Sequence, residues 1–272
     1  MMLSQRTLMR TLATLAVLAS AVSGVRASAA TVEQPRVTLL SRIQSYLTTR
    51  TGVTMVEVYD ATTHQRFAYH IGLVMYAAST VKVDILATRL YQTHGKLSAR
   101  DQDLAAVMIE QSDNDAASVL WNEDGRGAGI AAFNRLNGGM TATVMGHHWG
   151  LTRTTAHDQA ELVRSLVYGS RTLNAAERAY MLDLMAHISA PDYWGVNSGV
   201  RDGVTVQMKN GWLALQQPNA DWQINSVGHV HGDGRDYVLA IMSAGNPSCT
   251  YGVVTTNTVA AITYSSLRPI VT

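Results

Sequence analysis

Three short segments carry the residue types of a nucleophilic acyl-transfer site. Ser79-Thr80-Val81-Lys82 sets a lysine amine three residues after a serine, one turn along the same helix face. A serine hydroxyl is a weak nucleophile at neutral pH and needs a base beside it. A helix start adds free N–H groups and the positive end of the dipole, which favour a developing oxyanion. Ser112-Asp113-Asn114 supplies a second hydroxyl able to relay a proton and a carboxamide able to hold a substrate amide by two hydrogen bonds. Lys209-Asn210-Gly211, followed by Trp212, offers a lysine for a substrate carboxylate. That lysine would also lower the proton affinity of Lys82 by like-charge repulsion. Gly211 lets a substrate backbone approach the strand edge. Taken singly, each segment reads equally as a helix cap, a turn or a solvated lysine. Together they use two of the chain's three lysines (Lys82, Lys96 and Lys209). The other basic residues are arginines, which stay protonated and cannot act as general bases.

The elements that must position these segments follow from hydrophobic spacing. Thr31 to Arg50 reads as a helix, Val53 to Tyr59 as a strand, and Phe67 to His70 as a second strand after a turn. A helix is predicted from Ser79 to Thr93 with a stop at Gly95. Ser98 with Asp101, Thr155 with Asp158, and Asn174 with Glu177 mark three further helix starts, and Asn137-Gly138-Gly139 a helix end. After Pro191 the pattern turns to strands: Val204 to Met208, Asp221 to Val230 and Tyr237 to Met242. The last two flank a hairpin turn at His231-Gly232-Asp233-Gly234. A helix from Tyr251 to Leu267 closes the chain. The pattern predicts an α+β fold, an antiparallel sheet built from both ends of the chain with helices inserted between.

Composition bounds the function. The chain has 272 residues, nearly half of them apolar, which suffices for a large core without disulfides or structural metal. Its single cysteine, Cys249, excludes an intramolecular disulfide, and a net charge of +1 gives no nucleic-acid footprint. Residues 1–30 have no acidic residue, basic Arg6 and Arg10, an apolar run from Leu12 to Val22, and small residues at Ala27-Ser28-Ala29. That is the pattern of a cleaved signal peptide, too short to span a bilayer and without a cysteine to lipidate. The expected product is secreted, with no stable membrane anchor, and forms one domain over 31–272. Its α/β lobe covers about 31–78 and 195–272, and its helical lobe about 79–194.

The S-x-x-K, S-D-N and K-x-G elements occur once each and in that order. Here the chain resembles the serine penicillin-recognising enzymes, and within them the class A β-lactamases and their relatives, over Thr31 to Leu267. The resemblance implies a five-stranded antiparallel sheet flanked by terminal helices. It implies Ser79 as acylated nucleophile, Lys82 as its base, Ser112 as proton relay and Lys209 as the carboxylate-binding lysine. Asn114, Asn210, Gly211 and Trp212 would contact substrate, and the backbone N–H groups of Ser79 and Trp212 would form the oxyanion hole. It further implies a monomer acting on a small molecule or peptide with a carboxylate, such as a cell-wall D-alanyl peptide, with no cofactor.

The departures bear on the second half-reaction. Class A β-lactamases carry an Ω-loop glutamate that activates the deacylating water; here the segment from Thr141 to Thr155 is short and holds no acidic residue. A substitute base would have to be His148 or His147 in that loop, or Glu110, with Asp158 and Glu161 behind them. The third motif has asparagine in place of the usual hydroxyl residue. Three outcomes stay open: a β-lactamase with a substitute base, an acyl transferase or carboxypeptidase on peptides, and a non-catalytic ligand or partner binder. His229 and His231 share a strand face, but the sequence shows no third metal ligand, so no metal is assigned.

Overall fold

The computed structural model describes residues 26–215 and 221–267, with side chains from residue 37 onward. The expected signal peptide lies outside the described residues except for its last five, which begin helix α1 (Arg26–Leu47). Strand β1 (Val53–Asp60) turns at a capping aspartate into β2 (Gln65–Tyr69); Asp60 accepts from Thr62 N and from the hydroxyls of Thr62 and Thr63. From the other end of the chain come β5 (Thr205–Leu215), β6 (Asp221–Gly232) and β7 (Arg235–Asn246). They join the first two in an antiparallel sheet of order β2-β1-β7-β6-β5. The β6–β7 connection is a two-residue turn with positive φ at Asp233 (52°) and Gly234 (69°), the backbone that an Asp-Gly pair favours.

Alternation decides which face of the sheet meets what. Helices α1 and α8 (Cys249–Ser266) pack together, with α8 covering β6 and β7, while α6 (Ala156–Tyr168) lies against β1, β6 and β7. The helical part between the strands contains α2 (Lys82–Thr93), α3 (Ala99–Glu110), α4 (Asn114–Glu123), α5 (Arg126–Asn137) and α7 (Ala175–Ala186). The caps foreseen from sequence are formed. Ser98 accepts from Asp101 N, Thr155 accepts from Asp158 N, and Asn174 and Glu177 complete a reciprocal capping box. Two short strands, β3 (Met75–Tyr76) and β4 (Arg153–Thr154), pair beside the main sheet.

Among the boundaries that differ from the sequence expectation, two matter for the site. The helix expected to open at Ser79 begins instead as a tight 3-10 turn over Ala78–Val81, with α2 starting only at Lys82. The strand expected to stop at Met208 continues to Leu215, because β5 pairs with β6 without interruption from Thr205↔His231 to Leu215↔Asp221. The K-N-G segment therefore lies inside an edge strand and not beyond its end. Two lysines, Lys82 and Lys209, are among the largest fully buried side chains of the chain. A core this size has no packing reason to bury ammonium groups, which cost several kcal/mol each unless hydrogen-bonded.

Candidate active site

The buried lysines converge on one hydroxyl. Lys82 Nζ donates to Ser112 O (2.6 Å), to Asn114 Oδ1 (2.9 Å) and to Ser112 Oγ (3.2 Å). Lys209 Nζ reaches the same Ser112 Oγ at 2.9 Å and the carbonyl of Asn210 at 3.1 Å. Three separate elements thus meet at Ser112: the start of α2, the turn before α4 and the edge strand β5. Ser112 itself holds a left-handed backbone (φ 56°), as does Ala78 (φ 49°), the residue before Ser79. Non-glycine residues in this region carry strain of order 1–3 kcal/mol, and here both positions aim a serine hydroxyl.

Burial lowers the Lys82 pKa to about 8, against the opposing pull of Asp113 and Asp192. Burial, and then the charge of Lys82, also push Lys209 down, with Asp192 working the other way. Desolvation is the largest cause at both lysines, and the like-charge repulsion expected from the sequence adds to it. Asp192, in a 3-10 turn over Ala190–Asp192, is itself raised by burial against both lysines. It is the nearby carboxylate that sequence spacing gave no means to find.

Ser79 sits where β5 presses on its turn. A Cβ at Gly211 would lie 2.7 Å from Ser79 N, 2.8 Å from Thr80 N and 2.9 Å from Ala77 O, so only glycine allows this approach. Ser79 and Ser112 both open into a cavity of about 450 Å³, lined also by Asn114, Asp115, Ser118, His148, Trp149 and Trp212. Asn225 clamps the preceding segment by donating to Tyr76 O (2.8 Å) and Ala77 O (3.0 Å).

The other predicted residues are distributed unevenly. Asn210 is fully buried on the opposite face of β5, where its amide donates to Asp192 O and Trp194 O, both at 2.7 Å. Two buried carbonyls need donors, and they capture the amide that was expected to hold a substrate. Glu110 is not among the cavity-lining residues; its charge bears on Tyr180, and its carbonyl accepts from Ser189 N. Asp158 instead closes the neck of the 141–155 loop, accepting from Ala142 N and Thr143 Oγ1. Burial works against ionisation of Glu161, but Arg164 and Arg66 hold its carboxyl below the usual range. His147 is exposed and does not line the cavity, whereas its neighbour His148 does. His148 Nδ1 accepts from Gly150 N (3.2 Å), which leaves Nε2 carrying the ring proton in the neutral form.

Among the lining residues that the sequence did not single out, two stand out. Trp149, buried at the start of a 3-10 turn (Trp149–Leu151), sets its ring centroid 4.8 Å from Lys82 Nζ and donates from Nε1 to Ser118 Oγ at 3.1 Å. Asp115 stands in the first turn of α4, one turn before Ser118 on the same face, a spacing that would have flagged it once Asn114 was assigned.

Comparison with known proteins supplies a family and a fold. Residues 90–267 match the model of the β-lactamase enzyme family, a segment that begins after Ser79 and Lys82 and includes the other two motifs. Proteins named "Putative lipoprotein LppW" from Mycobacterium bovis and Mycobacterium tuberculosis are 30% identical over 203 residues, 71% of this chain. The chain spans 63% of the length of those relatives. Among solved structures, a class A β-lactamase from Mycobacterium abscessus superposes with TM-score 0.71 at 18% identity, covering 84% of this chain and 98% of its own. One from Bacteroides cellulosilyticus gives 0.73 at 14% identity, covering 86% and 98%. The structure titled PBP-A gives 0.73 at 19% identity, covering 84% and 95%. At such identities the superpositions establish the fold.

Proposed function

The chain belongs to the β-lactamase enzyme family, and from that premise we propose that it is an extracytoplasmic serine hydrolase acylated at Ser79. Its substrates would be β-lactam-like or D-alanyl-peptide-like amides and esters that bear a carboxylate. The observation that carries this reading is the meeting of Lys82 and Lys209 on Ser112 Oγ in the floor of the cavity that Ser79 enters. An ammonium at Lys82 uses all three of its protons on Ser112 and Asn114; the neutral amine frees a lone pair for the Ser79 proton.

In the forward step Ser79 Oγ attacks the substrate carbonyl while Lys82 Nζ takes its proton. The oxyanion is received by the N–H groups of Ser79 and Trp212, which Gly211 brings together. Collapse breaks the carbonyl–nitrogen bond, and Ser112 hands a proton to the leaving nitrogen, replaced from Lys82. Asn114 has its oxygen on Lys82, so its NH₂ remains to donate to a substrate amide. Lys209 is fully buried and, in its protonated form, would attract the carboxylate from behind Ser112.

Resolution of the ester is slow in this reading. Trp149 covers the face of Lys82 toward the short loop, and His148 and Asp115 are the titratable side chains lining the open cavity. The relatives named as lipoproteins support an extracytoplasmic location, as does the leader-like composition of residues 1–30. Intact-mass spectrometry over hours with a penicillin tests the proposal. An adduct that persists, and that is lost in Ser79→Ala, supports it. Tight reversible binding without any adduct would overturn it in favour of a non-catalytic binder.

A further inference from the structure

Beside the β6–β7 turn, the structure supplies the third ligand that the sequence lacked for His229 and His231. Asp236 is the cross-strand partner of His231 in the β6–β7 ladder, and His229 lies two residues along on the same face. His229 Nε2 is 2.9 Å from Asp236 Oδ1, and His231 Nδ1 is 3.4 Å from Asp236 Oδ2. One ligand atom from each of the three residues can be chosen so that all lie within 4.8 Å of one another. Ligands at zinc-like bond lengths around a tetrahedral ion are about 3.3 Å apart. The cluster is therefore close to coordination geometry, and His231, largely exposed, is free to make the remaining adjustment.

The groups behind the ligands strengthen the case. His229 Nδ1 faces Gln207 Oε1 at 2.8 Å across the β5–β6 pair. When that oxygen accepts the Nδ1 proton, the Nε2 lone pair faces Asp236 and is available to an ion. Tyr168, at the end of α6, donates its hydroxyl to Asp236 Oδ1 and fixes the carboxylate. Orienting hydrogen bonds of this kind accompany metal-ligating histidines and carboxylates.

We propose that His229, His231 and Asp236 form a binding site for a divalent first-row transition ion of the zinc type, with Gln207 and Tyr168 as positioning residues. Two imidazoles and one carboxylate suit such an ion better than calcium or magnesium, and three protein ligands leave a position for water. Bound there, the ion would join the β6–β7 hairpin, independently of the chemistry at Ser79.

Titration of the metal-free full chain with Zn²⁺ by calorimetry tests this, with Co²⁺ absorbance as a readout of coordination. One ion per chain is expected, with a rise in thermal midpoint in the unmodified protein. His231→Ala, at an exposed position that leaves folding intact, should weaken binding at least tenfold and remove that rise. Asp236→Asn should weaken binding as well, while Ser79→Ala should leave it unchanged. Absence of stoichiometric binding overturns the proposal. So does binding that persists undiminished in both His231→Ala and Asp236→Asn, which would place the ion elsewhere.

Discussion

The two walls of the cavity are made differently. On one side Lys82, Ser112 and Lys209 form a buried, hydrogen-bonded chain drawn from three elements. On the other, the 141–155 loop offers a tryptophan ring and a single inward histidine, held by the Asp158 neck and by the Ala77 N to Thr152 O bond of 2.7 Å. On the proposed function, the first wall would move protons during ester formation. The second is arranged to pack. On the same proposal, a site built this way would make a covalent intermediate more readily than it resolves one.

That contrast is open to direct attack. The largest effect is expected at Ser79, where Ser79→Ala should abolish the penicillin adduct in intact-mass measurements. Next, Lys82→Ala should slow acylation by roughly 10²–10⁴, the usual range for loss of a general base, in stopped-flow or quench kinetics. Loss of less than tenfold would mean that another group takes the Ser79 proton. On the opposite wall, His148→Gln should lengthen adduct lifetime by about tenfold if its ring assists water, while acylation stays within about threefold. Glu110→Gln, outside the cavity, should change neither step. If the Glu110 variant alone trapped the adduct, the distinction between the walls would be misdrawn.

The pH dependence follows from the same lysine. With the neutral form of Lys82 as the proposed base, the acylation rate should rise with pH through about 8 and level off above. A flat profile from pH 6 to 9 would separate Lys82 from the rate-determining proton transfer. The smallest effect concerns stability. Folding lowers the Lys82 pKa, so the unfolded chain binds the extra proton between about pH 8 and its ordinary range, and the destabilisation is full below that window. Lys82→Met should therefore raise the thermal midpoint at pH 7 by roughly 2–4 °C, corresponding to about 1 kcal/mol at this size. The gain should shrink toward pH 10.

Much of the acylating wall was legible in the sequence because its residues lie in short motifs whose spacing encodes local geometry. Ser79 with Lys82 and Ser112 with Asn114 are each within one turn, and caps such as Asn174 with Glu177 are equally local. What escaped was set at long range. Asp192 acts on the lysines from a distant turn, Trp149 reaches Lys82 across the loop, and Asp236 meets the histidines only through strand register. Asn210 shows the reverse failure. Its place in the motif suggested a substrate contact, yet the continuation of β5 turned it to the far face, where backbone carbonyls claim it.

The order of strands in the sheet has a kinetic meaning. β1 pairs with β7 from Val53↔Ala244 to Asp60↔Tyr237, so the centre of the sheet joins the first strand of the chain to the last. Such non-local pairing pays its loop-closure entropy before any contact rewards it, which makes folding slow and late. Ser79 and Lys82 emerge early in the chain, but Lys209 meets Ser112 only when β5 has a sheet to join. A chain halted before its last strands would hold Ser79 and Lys82 yet lack the third arm of the proposed site. Assembly of that site is thus tied to formation of the late strands.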